Sequence, residues 1–160
     1  MSLPWWEGEG EGEMITYRKI MKISDAKVWI TKKVLRENEL FRDLDDILLE
    51  TLITHADAKL LAEGDMLYRQ GEASNDTFCI IIFGSVKIVS ENGQILAVMK
   101  RGRVMGEIGI MGMQHKRSAD VVALEPTSIL EWRFGDIKDK APDLIKKLQQ
   151  LALTTLRSSR

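Results

Sequence analysis

The chain has 160 residues, 44% hydrophobic and 29% charged, with a formal net charge of −1, the balance of an ordinary soluble domain with some helical extension. Near-zero charge argues against broad capture of nucleic acid, which needs a basic face. One cysteine, Cys79, excludes an intrachain disulfide and a cysteine metal cluster; no apolar run approaches the roughly 20 residues that cross a bilayer; and no basic-then-apolar leader opens the chain, so the expected compartment is the cytoplasm.

Residues 1–13 read as a loose tail, in which Glu7-Gly8, Glu9-Gly10, Glu11-Gly12 and Glu13 carry charge and bury little. Ser24 is the N-cap candidate of a first helix whose rough apolar face is Val28, Trp29, Thr31 and Leu35. A stronger helix follows. Leu40, Phe41, Leu44, Ile47, Leu48, Leu49 and Leu52 recur at helical spacing, with Asp43, Asp45 and Asp46 near the start, where the helix dipole favours anions.

From about residue 57 the texture changes to short β-like runs: Ala58–Leu61, Met66–Tyr68, Phe78–Phe83, Ser85–Val89 and Gln94–Met99. Gly64, Gly71, Gly84 and the hairpin pair Asn92-Gly93 divide them. After an interruption, Ser118–Leu124 and Ser128–Trp132 continue the series, and a last helix starts near Pro142 with Leu144, Ile145, Leu148, Leu151, Ala152 and Leu156 on one face. The expected fold is mixed α+β but mainly β, a double-stranded β-helix or jelly roll with flanking N- and C-terminal helices. Its parts are a tail and helix over 1–37 and a domain over 38–160, with the β-roll at about 57–133 and the C-terminal helix at about 142–158.

The interruption carries the chemistry. Gly106-Glu107-Ile108-Gly109-Ile110 opens a glycine-rich segment that returns to a strand through Lys116 and Arg117. A short helical turn starting near Glu107 would present free backbone N–H groups, which attract phosphate. Arg117 offers a planar fork of donors matched to phosphate oxygens, and Glu107, an acceptor only, suits sugar hydroxyls. Residue chemistry alone leaves a second reading open, in which Glu107 pairs with Arg117 or Lys116 at the surface.

The segment resembles the phosphate-binding cassette of the cyclic-nucleotide-binding domain family, whose pattern is Gly-Glu-(Leu or Ile)-(Ala or Gly)-Leu, a short gap, then Arg-(Ser, Thr or Ala)-Ala. Here it reads Gly106-Glu107-Ile108-Gly109-Ile110, then Arg117-Ser118-Ala119, with spacing similar to that of the catabolite activator branch. A second signature of the family stands upstream in the right order: Gly64-Asp65, Leu67-Tyr68-Arg69-Gln70-Gly71-Glu72, Phe78, Ile80-Ile81, Gly84, Val86 and Ile88. The resemblance covers roughly residues 38–158. It implies that Glu107, with the Gly106 backbone, binds the ribose 2′-hydroxyl, and that Arg117 pairs with the exocyclic oxygen of a cyclic phosphate. Ser118 would add a hydroxyl contact, the N–H groups of Gly109 and Ile110 would cap the phosphate, and Ala119 would leave room for the ligand.

Two positions depart from the usual choices. Met105 stands where phenylalanine is common, a packing swap. Asp120 falls on the same strand face as Ser118; facing the pocket it would disfavour phosphate and accept from a guanine edge, and facing water it would do neither.

The expected function is therefore a sensor module for cyclic AMP or cyclic GMP that signals through its terminal helix, by population shift about a hinge near Phe134–Pro142. The alternative is an interaction scaffold of the same fold without ligand. Leu144, Leu148 and Leu151 make a homodimer through that helix a further expectation. Catalysis is not expected, because His55 and His115 form no metal pattern and no serine or cysteine stands beside a base. No cofactor and no membrane insertion are expected either. In transcription factors of the family a longer helix leads to a winged-helix reader; none follows Arg160, so this chain alone is not expected to bind DNA.

Overall fold

The computed structural model describes residues 25–74, 76–107 and 116–158. Helices α1 (Asp25–Glu37) and α2 (Asp46–His55) precede strands β1 (Asp57–Leu61), β2 (Met66–Tyr68), β3 (Thr77–Phe83), β4 (Ser85–Val89), β5 (Ile95–Lys100), β6 (Val104–Met105), β7 (Asp120–Ala123) and β8 (Thr127–Arg133). Helices α3 (Phe134–Ile137) and α4 (Pro142–Ser158) follow. The strands form two antiparallel sheets of four, in the orders β1-β8-β3-β6 and β2-β7-β4-β5. This is the expected jelly roll with flanking helices.

Strands β3 and β8 explain why the roll sits against helices on one side. Their register pairs Phe78 with Trp132, Cys79 with Glu131, Ile80 with Leu130 and Ile81 with Ile129. Successive side chains alternate faces. Phe78, Ile80, Leu130 and Trp132 accordingly enter a core shared with α1, α2, α3 and α4, through Leu35, Leu49, Leu52, Ile137, Leu144 and Leu148. Cys79, Ile81 and Ile129 enter a second core between the sheets, where they meet Tyr68, Val86, Met105 and Val121. A strand buried on both faces reads as a continuous apolar run, which is how Phe78–Phe83 looks in the sequence. Trp132 anchors the helical side: its ring lies 5.5 Å from those of Phe41 and Phe78, and its Nε1 donates to the Leu52 carbonyl at 2.7 Å.

The helical expectations need correction at two points. Helix α2 begins at Asp46, after turns that contain the buried Leu40 and Phe41. Asp45 caps it by accepting from Leu48 N–H at 2.8 Å, while Arg36 Nη1 donates to the Arg42 and Leu44 carbonyls. Apolar spacing there reported burial, not helicity. Trp29 and Ile47 are 64% and 77% exposed, so neither belongs to the packed face of its helix. The segment Phe134–Pro142 holds a helical turn whose Ile137 is buried, with Ala141 buried behind it. Strand β6 and helix α3, of two and four residues, are too short for any periodicity to announce. Residues 1–13, Ser24 and the Leu156 side chain lie outside the described residues. No described helix is long and apolar enough to cross a membrane.

Candidate functional site

Arg117 stands just ahead of β7, on a segment stitched to the loop after β2. Its N–H donates to the Glu72 carbonyl and its own carbonyl accepts from Gly71 N–H, both at 2.8 Å, and Lys116 bridges Ala73 in antiparallel fashion. Asp120 adds a third stitch, Oδ1 accepting from Gln70 N–H at 2.7 Å. That carboxylate is therefore engaged by a loop amide.

The guanidinium of Arg117 is turned inward. Nη2 donates to the Ser74 carbonyl at 2.8 Å and to Thr77 Oγ1 at 2.7 Å. Its plane covers the ring of Tyr68, 3.7 Å from the centroid, a close cation–π stack. Nε is buried and, among the described residues, meets no hydrogen-bond acceptor. Gly106 lies against the same group. Its φ of +87° is left-handed, and a Cβ there would fall 3.0 Å from Arg117 Nη1 and 2.8 Å from the Thr77 carbonyl. Glycine is needed at this place both for its backbone angle and for the approach of the cation.

Behind Arg117 runs a buried polar chain that crosses between the sheets. Tyr68 donates its hydroxyl to Glu131 Oε2 at 2.7 Å, with Cys79 Sγ 3.6 Å away, and Lys59 Nζ meets Glu131 Oε1 at 2.7 Å. Burial alone would push the Glu131 carboxyl up; Lys59 and the Tyr68 hydroxyl outweigh it and hold the group below its ordinary 4.5. Burial, with Cys79 and Glu131 close by, pushes the Tyr68 hydroxyl up, so it stays a donor. Burial likewise raises the Cys79 thiol to about 12, which keeps it protonated and inert.

A cleft of about 370 Å³ opens beside this chain, within the roughly 300–1,000 Å³ of small-molecule sites. Arg117, Tyr68, Leu67 and Thr77 form its inner wall; Lys59, Glu131, Arg133 and Asp136 continue it toward α3. Among the described residues no three His, Cys, Asp or Glu side chains gather to hold a metal ion.

The structure brings Gly106 and Arg117 together, with the half-buried Glu107 next in the chain. Ser118 is exposed and Ala119 buried; neither is on the described lining of the cleft. Ile108, Gly109 and Ile110 lie outside the described residues. Residue reasoning missed Tyr68, Thr77, Lys59 and Glu131 as members of the site. Glu131 did carry a signal: one carboxylate inside the apolar strand Ile129–Trp132 must be paired if the strand is buried.

The profile described as cyclic nucleotide-binding domain matches residues 58–141, just over half of the chain. The chain belongs to that family. Within it, the domain is 33% identical over 84 residues to the potassium voltage-gated channel protein eag of Drosophila melanogaster, a match that covers 52% of this chain and 7% of that protein. It thus spans less than a tenth of the length of that curated relative. Among solved structures it is similar to the N-terminal domain of a transcriptional regulator from Streptomyces coelicolor A3(2), with 28% identity and a TM-score of 0.63, over 79% of this chain and 91% of that one. The regulatory domain of Toxoplasma gondii PKA, solved with cAMP, shares the fold at 19% identity and a TM-score of 0.64, over 74% of this chain and 46% of that one.

Proposed function

We propose that this cyclic nucleotide-binding domain is a sensor module, not an enzyme, that takes cyclic AMP or cyclic GMP as its ligand and needs no cofactor. Arg117 grips the cyclic phosphate, and Glu107, with the Gly106 backbone, takes the ribose. The observation that carries this reading is the buried Nε of Arg117, which meets no acceptor among the described residues, in a guanidinium that lines the cleft and lies against Gly106. An unmade bond to a buried donor costs roughly 1–3 kcal/mol, and an anionic oxygen entering the cleft would supply the missing acceptor.

The signal would leave through α3 and α4. Asp136 faces the cleft while its neighbour Ile137 is packed with Leu144 and Leu148 of α4. A ligand that binds one seating of α4 better than another shifts the population toward it. Support is thinner for a homodimer through α4, since Leu144 and Leu148, two of its three proposed contacts, are already buried against the chain's own core. Cytoplasmic placement and the absence of DNA binding by this chain alone belong to the same proposal.

Calorimetric titration with cyclic AMP and, separately, cyclic GMP tests it. Arg117→Ala should weaken binding more than tenfold, because a charge-assisted contact is worth roughly 1.5–3 kcal/mol. Unchanged affinity in a folded variant would remove Arg117 from the site. Silence with both nucleotides from the native chain favours the ligand-free scaffold, a reading consistent with the bonds that Arg117 Nη2 already makes to Ser74 and Thr77.

A further inference from the structure

We propose that Tyr68 is a positioning residue for Arg117: its ring, locked by Glu131, holds the guanidinium plane where an anion can reach its uncommitted edge. The inference rests on the reading of Arg117 as the group that meets the ligand's anion.

A guanidinium on a three-carbon stem has many rotamers, and fixing it for one contact requires restraint from several directions. The backbone of Arg117 is fixed by Gly71 and Glu72, and Nη2 is fixed by Ser74 and Thr77. Those bonds restrain one end of the group. Rotation of the plane about that end is stopped by the Tyr68 ring, 3.7 Å beneath it. With the face covered and Nη2 engaged, Nε remains as the buried donor that meets no acceptor among the described residues.

The ring itself is not free to tip. Tyr68 is buried, and its hydroxyl donates to Glu131 Oε2 at 2.7 Å. Glu131 is held in turn by Lys59 at 2.7 Å across the β1–β8 ladder. The register of β8 on β3 sets Glu131 opposite Cys79, inside the roll, which aims its carboxylate at the Tyr68 hydroxyl. The chain Lys59, Glu131, Tyr68, Arg117 therefore ties the outer strand of one sheet to the anion-facing group beside the other. Phenylalanine at residue 68 would keep the platform and lose its lock; an aliphatic residue would lose both.

The test compares the native chain with Tyr68→Phe and Tyr68→Leu in two measurements. The first is the Nε–H resonance of Arg117 in ligand-free protein, assigned by its disappearance in Arg117→Lys. A guanidinium stacked on an aromatic face gives a discrete, ring-current-shifted signal; the native chain should show it, Tyr68→Phe should keep a broadened form, and Tyr68→Leu should lose the shift. The second is affinity for the cyclic nucleotide that the native chain binds. Tyr68→Leu should lose roughly tenfold, the loss of one desolvated cation–π contact, and Tyr68→Phe about threefold from the missing hydroxyl anchor.

An unshifted Arg117 signal in the native chain overturns the proposal without any variant, so a misfolded Tyr68→Leu does not shelter it. Equal affinities in folded Tyr68→Phe and Tyr68→Leu overturn it as well. A native chain that binds neither nucleotide, yet shows the shifted signal lost only with the ring, keeps the positioning and sinks the ligand reading instead.

Discussion

A carboxylate in mid-strand between two sheets is tolerated only if its charge is met on both oxygens, and Glu131 is 7% exposed with Lys59 on one and Tyr68 on the other. Its folded-state proton affinity is below the ordinary value of 4.5, so in acid the unfolded chain binds the extra proton first. A group depressed in this way stabilises the fold fully above its unfolded value, and the contribution fades as pH falls through the lower, folded one. Glu131→Gln removes that dependence while keeping an acceptor for Tyr68. Urea midpoints for both proteins from roughly pH 7 to pH 3 should show the native chain ahead at neutral pH and the gap closing in acid. A gap constant with pH would mean that Glu131 holds its proton equally in the folded and unfolded chains. Residue chemistry in the sequence singled out Arg117 at the end of a glycine-rich interruption of strands, a local pattern, and the structure sets Gly106 of that segment against its guanidinium. It did not point at Tyr68 or Lys59, since their role is set by which strands pair, a property of no single segment.

Between β3 and β4 the chain leaves one sheet for the other within a single residue. Gly84 makes that crossing at φ +92°, and a Cβ there would sit 2.5 Å from Thr127 Oγ1 and 2.6 Å from the Pro126 carbonyl. The same Thr127 hydroxyl accepts from Ser85 N–H and donates to the Glu125 carbonyl at 2.7 Å, with the Ser85 carbonyl 3.1 Å away, so it has no room to retreat. Gly84→Ala should cost about 2–5 kcal/mol, combining a left-handed alanine with overpacking at the corner. A midpoint shift worth under about 1 kcal/mol in urea would show that the corner yields. At this scale the strands were legible with small boundary errors, since glycine and Asn-Gly punctuation delimits short β-like runs. Helix α2 was placed too early because Leu40 and Phe41 are buried from a turn, and burial spacing alone does not separate a turn from a helix. Asp45, the true cap, was visible as one of three aspartates but not distinguishable among them.

The two apolar cores are distinct in membership yet share β3 and β8, whose alternate residues feed one or the other. Phe78, Ile80, Leu130 and Trp132 cannot leave the helical core without moving Cys79, Ile81 and Ile129 in the sheet core, because neighbouring residues on one strand move together. Interiors packed at crystal-like density do not absorb such a shift gradually. The helical layer and the β-roll should therefore unfold in one cooperative step. Urea denaturation followed by far-ultraviolet circular dichroism, which sees backbone, and by the near-ultraviolet tryptophan band, to which the buried Trp132 contributes, should give coincident transitions. Separate midpoints would mean that α1, α2 and α4 peel from an intact roll. The outcome bears on signalling. If the helices and the roll melt together, the core that holds α4 with Trp132 and Ile137 is coupled to the strands that line the cleft, as the proposed sensor reading requires.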